Sequence, residues 1–324
     1  MTSVDFARRA LLKLAGVATA AAALPGAIRA EGGVSPSVAL PFALTTPVSV
    51  GKACLRVRDL PVVRDYYRGL LGFEVVAKRE GEVDLGVGGV ALLTLRQVAD
   101  IAPESPVSAG LYHIAYLMPS RADLGRWLVH AVYLGVRIVG FADHNVSEAV
   151  YLTDPEGNGI EVYADRPAEQ WVWHEGFVTM GSRSLDVDGL FALADSSVDT
   201  YKRIPEALRI GHIHLRVGDL EKANEFYSVG IGLAPTRRGR KDAAFLSSGG
   251  YHHHVAMNVW QSEGAGARDP NTTGLDWFSL EAGREVLSEI KASLAAADID
   301  AKSTGGSLVI SDPWGTEVRI AAKA

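Results

Sequence analysis

Cysteine is nearly absent from the sequence, since Cys54 is the single thiol among 324 residues. One cysteine excludes an intramolecular disulfide and any metal cluster held by cysteines alone. A metal site would therefore have to use His, Asp or Glu side chains, and the sequence contains nine His. Where those histidines fall along the chain becomes the main question.

Basic charge does not predominate either. The 32 Lys and Arg residues are outnumbered by 38 Asp and Glu, which gives a formal net charge of -6. A nucleic-acid footprint needs a basic patch, so we expect no nucleic-acid partner. The hydrophobic share of 48% and the charged share of 22% are ordinary for a globular protein. The length is enough for about two domains.

The first 30 residues differ from the rest of the chain. Arg8 and Arg9 precede an alanine-rich apolar run, and small residues follow it up to Ala30. This order predicts a signal peptide of the twin-arginine type over residues 1–30. The protein would then meet the Tat export machinery and be periplasmic or exported, and it would be cytoplasmic if the leader is not used. A membrane-anchoring helix is the alternative, although the apolar run is shorter than the ~20 residues of a membrane span.

Residues 31–47 contain Pro and Ser and are interpreted as a linker, and internal repeats begin after them. Segments 51–60 and 211–220 share the pattern Leu-Arg-Val-x-Asp-Leu in register, and each is followed by an amphipathic helix that ends in Gly. Asp59 and Asp219, at the turn, are well placed to cap that helix.

A second motif, Asp-Pro-x-Gly, occurs at residues 154–157 and 312–315 between apolar strands and predicts a hairpin turn. The two motifs together define a unit of one strand, one helix and about three strands. Four such units fit the chain and predict an α+β fold. The boundaries that follow are a first domain of two units over residues 48–164, a connector over 165–207 and a second domain of two units over 208–324.

These units and the hairpin Asp-Pro-x-Gly-Asn-x-Ile-Glu resemble the vicinal oxygen chelate superfamily, which includes glyoxalase I, bleomycin-resistance proteins and type I extradiol dioxygenases. Segments 112–115 (Tyr-His-Ile-Ala), 143–149 (Asp-His-x-Val-Ser-Glu-Ala) and 249–254 (Gly-Gly-Tyr-His-His-His) are similar to four-module catechol 2,3-dioxygenases. The resemblance covers nearly everything after residue 48. It implies four βαβββ modules paired into two half-barrel cups. A shared fold alone does not establish a function, because this fold hosts several chemistries.

The resemblance also implies where metal ligands would lie. In this superfamily they fall early on the first strand and late on the last strand of a module, which in the second module are His113 and Glu161. The matching first-strand position of the third module is His212. Two His and one carboxylate are the ligand set of a non-haem Fe(II) oxygenase and leave positions for a catecholate and O2. Fe(II) is therefore expected, with Mn(II) as the alternative, and His214 is the main rival ligand.

The first and fourth modules lack such residues. Lys52, Trp277 and Arg319 stand at the corresponding positions. If modules paired in chain order, neither cup would hold a complete ligand set. Pairing the second module with the third, and the first with the fourth, places all three ligands in one cup. We therefore predict this nested pairing.

Proton transfer in ring cleavage calls for a further histidine. The segment that starts at His253 resembles the His-x-aliphatic-Ala-Phe strand of extradiol dioxygenases, in which the His is the acid/base group. On an alternating strand, His252 and His254 would face away from His253. A register shift by one residue would give either of them the role. A solvated histidine run, or an additional metal ligand, is the alternative.

Tyr151 lies ten residues before Glu161 and resembles the tyrosine that donates a hydrogen bond to a bound catecholate. A buried core aromatic is the alternative interpretation. His144 lies seven residues before Tyr151 and resembles the active-site histidine on the loop before this strand. Its spacing is about two residues shorter than in better-known ring-cleaving relatives.

The function that these residues predict is an Fe(II)-dependent extradiol dioxygenase that cleaves catechol or a substituted catechol with O2. A glyoxalase-like isomerase or lyase is one alternative, but that chemistry usually has two Glu among four ligands, and the last strand of the third module offers His. A non-catalytic protein that binds a metal or a small molecule is another. A homo-oligomer is compatible with all three.

Overall fold

The computed structural model describes residues 39–323. The predicted signal peptide, residues 1–30, and residues 31–38 of the predicted linker lie outside the described residues. Within the described part, the end of the linker forms a short helix, α1 (Phe42–Thr45). None of the described helices is both long enough and apolar enough to cross a membrane.

Four units of one strand, one helix and three strands follow one another, as predicted. The first two units consist of β1 (Val48–Val57), α2 (Leu60–Leu71), β2 (Glu74–Arg79), β3 (Glu82–Val87), β4 (Val90–Gln97), and then β5 (Gly110–Met118), α3 (Arg121–Tyr133), β6 (Ile138–Asp143), β7 (Ser147–Thr153) and β8 (Gly159–Asp165). The connector holds a 3-10 turn (Ala168–Gln170), β9 (Trp173–His174), β10 (Phe177–Val178) and α4 (Val187–Ala192).

The last two units have the same order. They consist of β11 (Arg209–Arg216), α5 (Leu220–Asn224) with a π-helical continuation (Glu225–Gly230), β12 (Ala234–Pro235), β13 (Ala243–Ser247), β14 (Val255–Asn258), and then β15 (Gly274–Ala282), α6 (Arg284–Ala296), β16 (Lys302–Thr304), β17 (Ser307–Ser311) and β18 (Glu317–Ala322). The predicted α+β class with four βαβββ modules is confirmed.

The strands form two eight-stranded sheets whose order shows how the units pair. One sheet runs β12-β13-β14-β11-β5-β8-β7-β6, and the other runs β16-β17-β18-β15-β1-β4-β3-β2. The first combines the second and third units through the antiparallel pair β5–β11, and we call it the inner cup. The second combines the first and fourth units through β1–β15, and we call it the outer cup. The nested pairing predicted from the ligand positions is confirmed, and each cup takes strands from both halves of the chain.

The repeated turn residues act as predicted at the helix starts. The Asp59 carboxylate accepts a hydrogen bond from the backbone N–H of Val62 at 3.0 Å. Asp219 accepts one from the N–H of Glu221 at 2.8 Å. Both bonds satisfy an N–H group that the first helical turn leaves without a partner. At the other end of α2, Gly72 has a φ of 78°, a left-handed conformation that glycine adopts without strain.

The aspartates of the hairpin motif connect units that are neighbours in sequence. The hydroxyl of Tyr67, on α2, donates to Asp154 of the second unit at 3.4 Å. The hydroxyl of Tyr227 in the third unit donates to Asp312 of the fourth at 3.0 Å. Burial raises the pKa of Asp154 to about 6. Consecutive units thus contact each other through helix and hairpin, while their sheets pair in the nested order.

The close contact between β5 and β8 at Gly159 predicts that a side chain there would destabilise the protein. A Cβ atom on this residue would lie 1.9 Å from the backbone carbonyl oxygen of Tyr112, so Gly159→Ala must push the two strands apart. We expect it to lower the free energy of unfolding by about 1–3 kcal/mol. Chemical denaturation of both proteins measures the difference.

The matched control is Gly69→Ala on α2, where a Cβ would meet no atom within 4 Å. Alanine is favoured over glycine in a helix, so this variant should be more stable by about 0.5–1 kcal/mol. Equal changes in the free energy of unfolding for the two variants would contradict the close contact between β5 and β8.

Candidate functional site

Three adjacent strands of the inner cup bring His113, Glu161 and His212 together. The register places Ala115 of β5 opposite Glu161 on β8 and opposite His212 on β11. His113 lies two residues before Ala115 and therefore points to the same face of the sheet. One nitrogen or oxygen atom from each side chain lies within 4.8 Å of the others. The residues predicted as ligands thus form one cluster.

The cluster is tight and buried. Glu161 Oε2 lies 2.9 Å from His113 Nε2 and 3.3 Å from His212 Nε2, and the two nitrogens are 3.3 Å apart. Burial acts to raise the pKa of Glu161, but the neighbouring His212 and His113 outweigh it and hold that pKa well below its usual range. Burial lowers the pKa of His212 to about 4. The carboxylate is therefore charged and His212 is neutral near pH 7, which are the forms that bind metals.

These distances fit a divalent transition-metal ion. Two ligand atoms that are each about 2.1 Å from an ion and at right angles to each other lie about 3.0 Å apart. The three observed separations of 2.9 to 3.3 Å are close to that value. One carboxylate and two imidazole ligands leave net positive charge on a divalent ion and positions open for exchangeable ligands. His113, Glu161 and His212 can therefore hold a metal together.

The ring of His212 is oriented by packing. Its Nδ1 is buried and has no hydrogen-bond partner among the described residues. The ring centroid lies 4.1 Å from that of His253 and 5.0 Å from that of Tyr163. Ligating histidines usually donate this second nitrogen to an acceptor. Here the rings of His253 and Tyr163 pack against the His212 ring and limit its orientation instead.

His214, the rival ligand, lies beside the cluster. Its Nε2 accepts a hydrogen bond from the side-chain amide of Asn258 at 2.9 Å. Its ring packs against the rings of Tyr112 and His113, with centroid distances of 4.7 and 4.9 Å. The structure therefore places His214 in the wall of the site, with Nε2 already engaged.

A cavity of about 330 Å³ opens onto the cluster. Aromatic and apolar side chains form much of its wall: Tyr112, Phe141, Met180, Phe245 and Trp260. Sequence reasoning did not identify these residues, because they come from five separate segments. Tyr112 carried a signal, since it adjoins His113 in the Tyr-His-Ile-Ala motif. A small cavity with aromatic walls and a few polar groups is typical of a site for a small molecule.

His253 lies in the cavity wall at the end of a hydrogen-bonded chain. Asp165 Oδ1 accepts from His252 Nε2 at 2.8 Å, and His252 Nδ1 lies 2.8 Å from His253 Nδ1. Because His252 uses its proton toward Asp165, its Nδ1 must accept from His253. The second nitrogen of His253, Nε2, is then the one that carries no proton in the neutral ring.

The expectation that His252 and His253 face opposite ways is wrong. Residues 251–254 form an irregular segment, and β14 begins only at Val255, so strand alternation does not apply to them. His254 does point elsewhere: its Nε2 donates to the carbonyl oxygen of Ala43 at 2.9 Å. Burial lowers the pKa of His254 to about 3. His254 therefore connects this segment to α1, away from the cavity.

Tyr151 and His144 also line the cavity and are hydrogen-bonded to each other. His144 Nδ1 donates to the carbonyl oxygen of Gly181 at 2.7 Å, so its Nε2 accepts from the Tyr151 hydroxyl at 2.6 Å. Burial, with the charge of Glu161 nearby, raises the pKa of Tyr151 well above its usual range. The shorter spacing of His144 in the sequence does not keep it from the site.

The outer cup holds a different arrangement at the matching positions. Two cations lie over the ring of Trp277, whose centroid is 3.9 Å from the Arg319 guanidinium carbon and 5.3 Å from Lys52 Nζ. Cations placed over an indole ring are attracted by its π-electrons. An indole and two basic side chains supply no metal ligands, so in the part of the chain described the inner cup carries the ligand set.

Comparison with known proteins agrees with this geometry. A sequence model of the Glyoxalase/Bleomycin resistance protein/Dioxygenase superfamily matches residues 49–162 and 209–320. The chain belongs to this superfamily. A catechol-2,3-dioxygenase of Bacillus subtilis (strain 168) is 36% identical over 271 residues, which cover 82% of this chain and 93% of that protein. The prediction of an enzyme of the catechol 2,3-dioxygenase-like kind is confirmed.

Solved structures share the fold at low sequence identity. A protein of Bacillus subtilis subsp. subtilis strain 168, provisionally assigned as a dioxygenase, aligns with a TM-score of 0.61 at 14% identity and covers 86% of this chain and 85% of its own. Glyoxalase I from Zea mays aligns with a TM-score of 0.53 at 15% identity, over 87% of this chain and 94% of its own. These likenesses establish the shared architecture.

The cluster predicts different effects for two histidines on one strand. His212→Ala removes one of the three converging ligand atoms, so we expect metal affinity to fall by more than about 100-fold. His214→Ala removes a ring whose Nε2 is bonded to Asn258 and should leave the metal content close to that of the unmodified protein. Metal analysis after anaerobic loading and gel filtration measures both.

Circular dichroism of the two variants serves as the control for folding. A folded His212→Ala protein that retains its full metal content would contradict the ligand assignment. Loss of metal from His214→Ala alone would move the assignment to His214.

Proposed function

We propose that the protein is an Fe(II)-dependent extradiol dioxygenase that cleaves catechol or a substituted catechol next to its two hydroxyls. Both atoms of O2 enter the ring-opened product, so the reaction needs no external reductant. The observation that carries the proposal is the set of two His and one carboxylate facing an aromatic-walled cavity. The identity of 36% to a catechol-2,3-dioxygenase supports it.

Iron, when bound, would supply coordination positions for the substrate and O2 and a route for electron transfer between them. Its ligands would be His113, His212 and Glu161. A single carboxylate suits this task because the site can then accept an anionic catecholate without an excess of negative charge. The protein's remaining contribution is to orient the ring, exclude water and transfer protons.

His253 is positioned for proton transfer at its Nε2, although burial and the neighbouring histidines hold its pKa well below its usual range. The bond to His252 Nδ1 at 2.8 Å keeps the proton of the neutral ring on Nδ1. Nε2 is then free to accept a proton from a catechol hydroxyl and to return it to an oxygen of the product. Asp165 stabilises the positive charge that develops during this step, because its carboxylate accepts the hydrogen bond from His252. Asp165 and His252 act through His253 and are therefore positioning residues.

Tyr151 and His144 are suited to hold the second catechol oxygen. The high pKa of Tyr151 keeps its hydroxyl protonated and able to donate. That proton points to His144 Nε2 at 2.6 Å when no substrate is bound. A catecholate oxygen would compete for the same proton, so substrate binding would redirect this hydrogen bond. His144, held by the Gly181 carbonyl, would remain in place.

A glyoxalase-like isomerase is less well supported. That chemistry usually has two glutamates among four ligands, one of them acting as a base. Among the residues that line the cavity, Glu161 is the single carboxylate, and it is engaged with His113 and His212. The last strand of the third module offers a histidine where a glyoxalase would have its second glutamate. This difference favours the dioxygenase.

The direct test is reconstitution of the protein with Fe(II) without air, followed by catechol and then air. We expect a yellow ring-cleavage product that absorbs in the visible range, and O2 consumption equal to catechol loss. Loading with Mn(II) in parallel decides between the two metals. A folded protein that binds Fe(II) and catechol but forms no ring-opened product would contradict the proposal.

His253→Asn provides the second test. Loss of the acid/base group should lower kcat by about 10²- to 10⁴-fold while the metal content stays unchanged. His174→Asn is the matched control, because His174 is exposed and lies on β9, outside the cavity wall. Steady-state kinetics with catechol measures both variants. Equal activity of the two would remove His253 from the mechanism.

A further inference from the structure

One wall of the cavity carries a guanidinium group that forms no close ion pair with a carboxylate of the described residues. Arg237 lies on the loop between β12 and β13, and its guanidinium carbon is 5.5 Å from the ring centroid of Phe245. Two arginines close to it in sequence are paired. Arg238 Nη2 lies 2.6 Å from Glu175 Oε2. Arg240 forms a bidentate ion pair with Asp242.

The backbone next to Arg237 is firmly attached. The N–H of Thr236 donates to the carbonyl oxygen of Phe245 at 2.9 Å, and its carbonyl oxygen accepts from the N–H of Val178 at 2.8 Å. The Thr236 hydroxyl donates to the carbonyl oxygen of His252 at 2.5 Å. The backbone from which the Arg237 side chain enters the cavity wall is therefore held in place.

The charges around Arg237 favour an anion. Burial lowers the pKa of Arg237 and the neighbouring charge of Arg240 lowers it further, while Asp242, which is itself ion-paired with Arg240, acts in the opposite direction. An arginine remains protonated at neutral pH all the same. Glu161 is the single carboxylate in the cavity wall, and it is engaged in the ligand cluster. The half-buried positive charge of Arg237 would be offset by a negative group on a molecule in the cavity.

Phe245 contacts both Arg237 and His253, and His253 packs against the ligand residue His212. Its ring lies 5.2 Å from that of His253, and the His253 ring lies 4.1 Å from that of His212. A catechol whose hydroxyls face His212 would extend its ring along Phe245 toward Arg237. The carbon atoms that approach the guanidinium are then those away from the hydroxyls.

We propose that Arg237 binds a carboxylate carried by the substrate, so that the preferred substrates are catechols with an anionic side chain. A guanidinium binds a carboxylate through two parallel hydrogen bonds, which gives direction as well as charge complementarity. The inference rests on the proposed dioxygenase function and specifies its substrate class. Sequence patterns did not indicate this role, because the contact between Arg237 and Phe245 forms only when the hairpin closes.

The test compares two catechols that differ in charge: 3,4-dihydroxyphenylacetate and its neutral amide. The methylene group separates the side chain from the ring, so the reactivity of the ring is nearly the same in both. We expect kcat/KM of the iron-loaded enzyme to favour the carboxylate by about 10- to 100-fold, the usual strength of a charged hydrogen-bonded pair. In Arg237→Gln the ratio should fall close to one, and Arg237→Lys should keep part of it.

The matched control is Arg238→Gln, which removes the same charge from the same loop but from a residue outside the cavity wall. It should keep the ratio of the unmodified enzyme. A ratio near one in the unmodified enzyme would overturn the inference, as would a ratio that Arg237→Gln leaves unchanged or that Arg238→Gln lowers equally.

Binding without air separates this inference from the proposed reaction. The dissociation constants of the two compounds, from calorimetry on the iron-loaded protein, should differ in the same direction and lose their difference in Arg237→Gln. If the protein turns over neither compound but shows this difference, the anion site stands and the reaction assignment fails. If it cleaves both compounds equally and binds them equally, the reaction stands and the anion site fails.

Discussion

The antiparallel pairing of β5 with β11 is the contact on which the rest of the site depends. It joins His113 to His212, which are 99 positions apart in the chain. The register at Ala115 turns Glu161 and both histidines to one face of the sheet. A shift by one residue would turn His212 to the opposite face. The buried apolar side chains on the other face of β5 and β11 oppose such a shift, because it would expose them to the cavity.

The outer cup shows what the same architecture does without a metal. Trp277 occupies a ligand position there, and the cations of Arg319 and Lys52 lie over its ring. The outer cup keeps the strand order of the inner one and meets it through helix–hairpin contacts such as Tyr67 with Asp154. Among the described residues, the cluster of two His and one Glu lies in the inner cup and has no counterpart at the matching positions of the outer cup.

The repeats predicted the units, and the resemblance to the vicinal oxygen chelate superfamily predicted the clustered residues and, through them, the nested pairing. His113, Glu161 and His212 occupy equivalent positions in repeated units, and one cup must hold a whole ligand set. The orientation of His252 could not be predicted, because it depends on β14 starting at Val255 and leaving the preceding residues irregular. The same holds for Arg237 in the cavity wall, whose neighbours come from distant parts of the chain.

The most direct measurement is a crystal structure of the Fe(II)-loaded protein with data collected at the iron absorption edge. We predict one anomalous peak per chain in the inner cup, about 2.0–2.2 Å from Nε2 of His113 and His212 and from the Glu161 carboxylate. A peak on His214, a peak beside Trp277 in the outer cup, or a loaded crystal without iron at the cluster would contradict the account.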